Sequence, residues 1–219
     1  MARFTLMSGH LYAVDEGSLR VFDVSVANNP TYLRNVALGW GIETIFPFQN
    51  KLFIGSSTGM HIYDATTPSE PQEMSVYQHI TACDPVVVNE DYAFVTLRSG
   101  VTCNLGINEL HVLDIKDPYQ PELLKTYPMA NPHGLALTEQ YLYLAEGIHG
   151  LKSFDVSDVL EIDENMMEHL KSMKSVDLIP GPKSLIVIGP GGVCQFDYSK
   201  PERLNPLSCI QVKNKMVLN

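Results

Sequence analysis

Three carboxylates and an imidazole recur at one position of a repeating frame. Nine residues before the apolar positions Leu11, Leu52, Ala93, Leu142 and Ile186 stand Ala2, Glu43, Asp84, His133 and Asp177. One position of a repeat occupies one place in each unit, so Glu43, Asp84, His133 and Asp177 are expected to converge. An oxygen-rich set of this kind suits a hard divalent cation such as Ca²⁺ or Mg²⁺. Clustered carboxylates also raise one another's pKa, a signal of candidate sites. A cation with an open coordination position would support metal-assisted hydrolase or lyase chemistry. The same residues could instead line a water-filled channel, whose polar walls water satisfies, or cap local turns. Trp40, the one tryptophan, lies three residues before Glu43. It could stack on a sugar or peptide, or pack between units. His149, in Glu146-Gly147-Ile148-His149-Gly150, falls on the side of His133 and reads as a solvated turn residue.

Other chemistry-bearing patterns have simpler explanations. Asp23, Asp64, Asp114, Asp155 and Asp197 recur at spacings of 41, 50, 41 and 42 residues. Each closes an apolar run ahead of a turn, where an aspartate carboxylate accepts from backbone N–H groups two residues on. A once-per-unit residue has a once-per-unit structural task, so these aspartates are not read as catalytic. Gly55-Ser56-Ser57-Thr58-Gly59 fits the nucleophile-elbow pattern. That motif needs a strand, a sharp turn and a helix, whereas here it joins two strand-like runs. Gly189-Pro190-Gly191-Gly192 is likewise a hairpin turn with no helix start to hold a phosphate. Cys83 lies just before the first strand of the third unit, and Cys103 lies within a connection, Arg98 to Asn108, that is about nine residues longer than its counterparts. A disulfide between them would staple that loop and fit an oxidising compartment; two free, partly buried thiols are the alternative. Cys194 and Cys209 read as small core hydrophobes.

The elements that would position these residues are strands. One run recurs as Leu19–Val24, Met60–Ala65, Leu110–Ile115, Leu151–Val156 and Val193–Tyr198. A second precedes it, as His10–Val14, Lys51–Ile54, Tyr92–Val95, Tyr141–Leu144 and Leu185–Ile188. Both are β-branched and aromatic, short, and bounded by turn residues. Two further strands flank each pair. Four short strands in roughly 40–45 residues are the pattern of a β-propeller blade, which needs neighbours to cover its faces. The expected architecture is therefore all-β, one propeller domain over 1–219. Its approximate blades are 1–38, 39–79, 80–128, 129–174 and 175–214, forming either a closed five-bladed ring or the C-terminal part of a larger one. The fourth departs from the others by an acidic insertion, Leu160–Glu168, that could form a helix.

Composition narrows the function. Fifteen Lys and Arg against 25 Asp and Glu give a net charge of −10, which argues against a nucleic-acid binder. No apolar run has the length of a membrane span, and the first residues lack signal-peptide architecture.

The strand Leu-x-Val-Phe-Asp-Val, followed by a turn with Pro30, Pro68, Pro118 or Pro201, resembles the LVIVD-repeat family of bacterial and archaeal cell-surface propellers. The stretches Trp40–Ile45, Lys51–Gly55, Ala82–Val88 and Asn131–Leu135 are similar to its exported lipoprotein branch typical of Bacteroidetes. The resemblance implies export to the cell surface or outer membrane, with membrane attachment only through a lipid anchor that this chain does not carry. It implies little about activity. Beside a purely structural subunit of an outer-membrane assembly, two functions stay open. One is a non-catalytic binding or scaffold module for a protein or glycan, using Trp40, the Arg98–Asn108 loop, His133 and His149. The other is the metal-assisted enzyme, with Glu43, Asp84, His133 and Asp177 as ligands and base. The lack of a nucleophile–base pair favours the first.

Overall fold

The computed structural model describes residues 3–79, 85–99 and 106–212. It contains twenty strands in five four-stranded antiparallel sheets, the blades of a β-propeller, and no helix among the described residues. The first blade holds β1 (Phe4–Met7), β2 (His10–Val14), β3 (Ser18–Asp23) and β4 (Thr31–Ala37). The second holds β5 (Ile42–Phe48), β6 (Lys51–Ser56), β7 (Gly59–Asp64) and β8 (Gln72–Gln78). The third holds β9 (Val86–Val88), β10 (Tyr92–Arg98), β11 (Asn108–Asp114) and β12 (Glu122–Pro128). The fourth holds β13 (Leu135–Thr138), β14 (Tyr141–Ala145), β15 (Leu151–Asp155) and β16 (Met166–Leu170). The fifth holds β17 (Asp177–Pro180), β18 (Leu185–Gly189), β19 (Gly192–Asp197) and β20 (Asn205–Gln211). The strands of each sheet lie in chain order. Two compact units result, Met1–Pro128 with three blades and Met129–Asn219 with two.

The apolar cores lie between blades, because a strand with alternating faces buries each face against a different neighbour. Tyr12, Val14, Leu19 and Val21 of the first blade pack with Ile45, Leu52, Ile54 and Tyr63 of the second. Phe53, Met60 and Ile62, on the second blade's other face, pack with Val86, Val88, Ala93 and Val95 of the third. In the second unit, Tyr143, Ala145 and Leu151 pack with Leu178, Leu185, Val187 and Phe196. Each fully buried side chain of this size contributes about 1.5–3 kcal/mol.

Two devices repeat with the blades. A β-bulge interrupts the pairing of third and fourth strands in all five, at Val21/Phe22, Ile62/Tyr63, Val112/Leu113, Ser153/Phe154 and Gln195/Phe196. The recurring aspartate follows it. Asp23, Asp64, Asp114, Asp155 and Asp197 each accept, through Oδ1, the N–H of the residue two further on, at 2.7–2.9 Å. The turn beyond is latched by the preceding blade, whose hydroxyls donate to proline carbonyls. Tyr12 Oη reaches Pro68 O at 2.8 Å, Ser75 Oγ reaches Pro118 O at 2.7 Å, and Ser153 Oγ reaches Pro201 O at 3.0 Å. Burial pushes the Tyr12 hydroxyl up to about 12, so it remains a donor at any ordinary pH.

The aspartate turns carry a pH signature. Asp23, Asp64, Asp114 and Asp197 are all held below the ordinary 3.8. The Ser25 and Thr66 side chains lead for the first two, and the Lys116 and Ser199 N–H groups for the others. A carboxylate depressed in the folded state stabilises fully above its unfolded pKa, and that contribution is lost as pH falls through the folded value. The melting temperature is therefore expected to be flat with respect to these groups above about pH 5 and to fall progressively below it. Asp64→Asn with Asp114→Asn keeps an acceptor and removes the titration. In a series of acid melts, this double variant should lose less between neutral and acid pH than the parent.

One expectation fails here. Leu160–Glu168 forms no helix: Asp158 Oδ1 accepts from Leu160 N, a single turn closes through Asn165 N to Glu161 O at 3.1 Å, and Met166 already begins β16. The fourth strand must restart within a few residues to complete the sheet, which leaves no room for several helical turns.

Candidate functional site

Strand register fixes where the three singled-out acids and His133 fall. Phe4, Ile45, Val86, Leu135 and Leu178 are equivalent, pairing with Ala13, Ile54, Val95, Leu144 and Val187. Two residues earlier lie Ala2, Glu43, Asp84 and His133, but in the fifth blade Val176. Asp177 is one residue out of phase. Glu43 sits half-buried in the first unit, at the bulge where β5 slips against β6 between Ile42 and Thr44. Asp84, Cys83 and Cys103 lie outside the described residues, as do residues 100–105 of the Arg98–Asn108 connection.

His133 and Asp177 are neighbours in the second unit. A Cβ on Gly134, the residue after His133, would lie 2.4 Å from Asp177 Oδ1. His133 N donates to Ala145 O at 2.7 Å, and its Nε2 lies 3.2 Å from Asn131 Nδ2. Gly147, at φ +59°, passes so close that a Cβ there would meet Asn131 Nδ2 at 2.7 Å and His133 Nε2 at 3.0 Å. Only glycine serves there, on both conformation and space.

Beside them lies a buried ion pair. Glu146, fully buried, accepts from Ala130 N at 2.9 Å through Oε1 and meets Lys152 Nζ at 2.6 Å through Oε2. The loop between them is tied down by Glu146 N to Gly150 O at 2.8 Å, paired bonds between Gly147 and Ser175, and Ser175 Oγ to Gly150 O at 2.7 Å. His149 is exposed, with its carbonyl accepting from His169 Nε2 at 2.7 Å. This is a pre-organised polar loop rather than a nucleophile and its base.

Lys152 belongs to a column that sequence reading missed, three residues before each recurring aspartate: Arg20, His61, His111 and Lys152 in the first four blades. Each meets a carboxylate of its own blade. Arg20 meets Asp15 at 2.9 Å, His61 meets Glu73 at 3.5 Å and His111 meets Glu109 at 2.9 Å, besides the Lys152 pair. Burial holds His111 below its ordinary 6.5, with Glu109 pulling the other way. A neutral ring that donates from Nε2 to Glu109 then accepts from Tyr77 Oη at Nδ1, 3.2 Å away. His61 and Glu73 line an open cleft of about 430 Å³ with Thr58, Val76, Gln78 and His79. Among the described residues, no group of three or more His, Cys, Asp or Glu is arranged to hold a metal ion.

Trp40 is the most prominent surface group. Its indole is 87% exposed, between β4 and β5, with Gly39 at φ +98° and Gly41 at φ +74° on either side. A Cβ on Gly41 would collide with Ser57 Oγ, and Ser57 N donates to Gly41 O at 2.8 Å. Ser57 thus buttresses the Trp40 loop, and the Gly55–Gly59 stretch is the turn between β6 and β7, with Ser56 Oγ donating to Gly59 O at 2.8 Å.

The other cysteines need a correction. Cys194 and Cys209 stand directly opposite on β19 and β20, with Cα atoms 4.1 Å apart, and form a disulfide. Cys194 is only partly buried and Cys209 is exposed, so neither is a core residue. The Cα spacing is that of a close cross-strand pair, which brings the two sulfurs within bonding reach.

Comparison with known proteins agrees with this architecture. Residues 81–128 match the LVIVD repeat model. No curated protein of known function matches the sequence. Among solved structures, a functionally unknown protein from Desulfotomaculum acetoxidans superposes with a TM-score of 0.71 at 10% identity, over 94% of this chain and 67% of that one. The periplasmic gluconolactonase PpgL of Pseudomonas aeruginosa gives 0.69 at 13% identity, over 93% and 67%. Apo AztD from Citrobacter koseri gives 0.68 at 14% identity, over 95% and 61%. At such identities the likeness is one of fold.

Proposed function

We propose that this LVIVD-repeat β-propeller is a non-catalytic, surface-exposed binding or scaffold module for a protein or glycan partner. The Trp40 loop carries the reading. An indole 87% exposed costs solvation with no packing return, and the loop is shaped to keep it there by two left-handed glycines and the Ser57 buttress. Tryptophan offers a large rigid surface and dominates many interfaces and sugar-stacking sites. The polar groups of the described residues support the same reading. They close turns, latch blades and pair within blades, and none forms a nucleophile with an adjacent base. The Cys194–Cys209 disulfide supports a location outside the reducing cytosol, as an exported protein at the cell surface or outer membrane.

Because Trp40 is the one tryptophan, its fluorescence reports directly on the site. Free protein should show fully solvent-exposed emission, quenched efficiently by acrylamide. A partner bound at the loop should shift that emission to the blue and protect it from quenching. A partner that binds without altering Trp40 emission would contradict this placement of the site.

A further inference from the structure

The Trp40 loop shares a hairpin with a polar cleft. Ser57, whose N–H donates to Gly41 O at 2.8 Å, belongs to the turn between β6 and β7. The next residue, Thr58, lines the open cleft of about 430 Å³ with His61, Glu73, Val76, Gln78 and His79. Thr58 O accepts from His79 N at 3.1 Å, which ties the turn to the residue that follows β8. His61 lies two residues from Tyr63 on β7 and shares its face, the one packed toward the first blade. Indole loop and cleft therefore meet on the second blade, which has a blade of its own unit on either side.

The cleft offers a carboxylate, two imidazoles, a hydroxyl and an amide, with one aliphatic side chain. Tyr63 Oη donates to Glu73 Oε2 at 3.0 Å, and His61 Nδ1 lies 3.5 Å from the same oxygen. The Glu73 side chain nevertheless stays 49% exposed, so a buried tyrosine aims an accessible acceptor. The core of a protein–protein interface is apolar and depleted in charge; this lining is the reverse. A sugar hydroxyl both donates and accepts, so a row of them satisfies such a mixed set. The C–H face of the same sugar packs on an indole. An acidic ligand would meet the Glu73 carboxylate on a chain of net charge −10.

We infer that the partner of the Trp40 site is a neutral glycan, which stacks on the indole and places its hydroxyls in the Thr58–Glu73–Gln78 cleft. This rests on the binding-module reading and gives its ligand a chemical class.

The test titrates the full chain with a panel of neutral oligosaccharides of hexoses and N-acetylhexosamines, with trigalacturonic acid as the acidic control. Trp40 emission and calorimetry are read together. The variant is Glu73→Gln with Gln78→Ala, which keeps an acceptor for Tyr63 and should melt as the parent does. At least one neutral glycan should bind and shift Trp40 emission to the blue, and the acidic control should not bind. The cleft variant should bind that glycan at least about tenfold more weakly, since it loses a charged acceptor and an amide. A Trp40 shift with equal affinity in parent and variant would overturn the inference and leave the Trp40 reading intact. So would a panel without binding while a cell-envelope protein shifts Trp40 emission. Glycan binding that leaves Trp40 emission unmoved, or a Trp40 that responds to neither glycans nor envelope proteins, would overturn both.

Discussion

Lys152→Met is expected to destabilise the protein by about 3–5 kcal/mol, the usual cost of leaving a buried charge without its partner. Glu146 is fully buried, and Lys152 Nζ at 2.6 Å is the group that neutralises it. The methionine fills similar volume, so the loss would come from charge and not from a cavity. The Ala130 N–H remains as a neutral donor to Oε1, which is too little to solvate an anion. The control is Glu146→Gln with Lys152→Met, which removes both charges and keeps an acceptor for Ala130. It should recover most of the loss in urea denaturation. A single variant as stable as the parent would mean that water reaches Glu146 and that the loop is open.

The second large effect concerns the fifth blade. Cys194→Ser with Cys209→Ser should cost about 2–3 kcal/mol, the loss of a bridge across a separation of 15 residues. Thiol reductant should lower the urea midpoint of the parent to that of the variant and leave the variant unmoved. A parent insensitive to reductant, after the thiols are shown to be free, would remove the bridge as a stabilising element. It would also remove the support it lends to an exported location.

How legible all this was in the sequence differs by element. The recurring aspartates could be read because turn chemistry is local: a carboxylate and an N–H two residues on need no tertiary context. All five make that bond. Blade strands were legible from period and composition, but register in the fifth blade was not. Leu185-Ile186-Val187-Ile188 is uniformly aliphatic, so alternation offers no phase. Pairing decides it: Leu185 opposes Phe196 as Leu11 opposes Phe22 and Leu52 opposes Tyr63. That one-residue difference puts Val176, and not Asp177, in line with Glu43 and His133.

The cysteines and the charged column show a different limit. Cys194 and Cys209 sit in apolar runs, which suggested burial, yet they oppose each other across a ladder at a partly exposed edge. Only the register of β20 makes them partners. Arg20, His61, His111 and Lys152 share one offset from the aspartate, a signal open to anyone who compares repeats column by column. Their acids, by contrast, come from four different offsets. A pair in which one member moves leaves no fixed spacing in the sequence.

The most direct test of the binding-module account compares wild type with Trp40→Ala on a glycan array and on immobilised proteins of a bacterial cell envelope. Trp40 is exposed and packs into no core, so the variant should fold and melt as the parent does. The account predicts specific binding by wild type that falls at least about tenfold in the variant, as expected of an aromatic anchor worth about 1.4 kcal/mol or more. Binding of equal strength by the two proteins would contradict it.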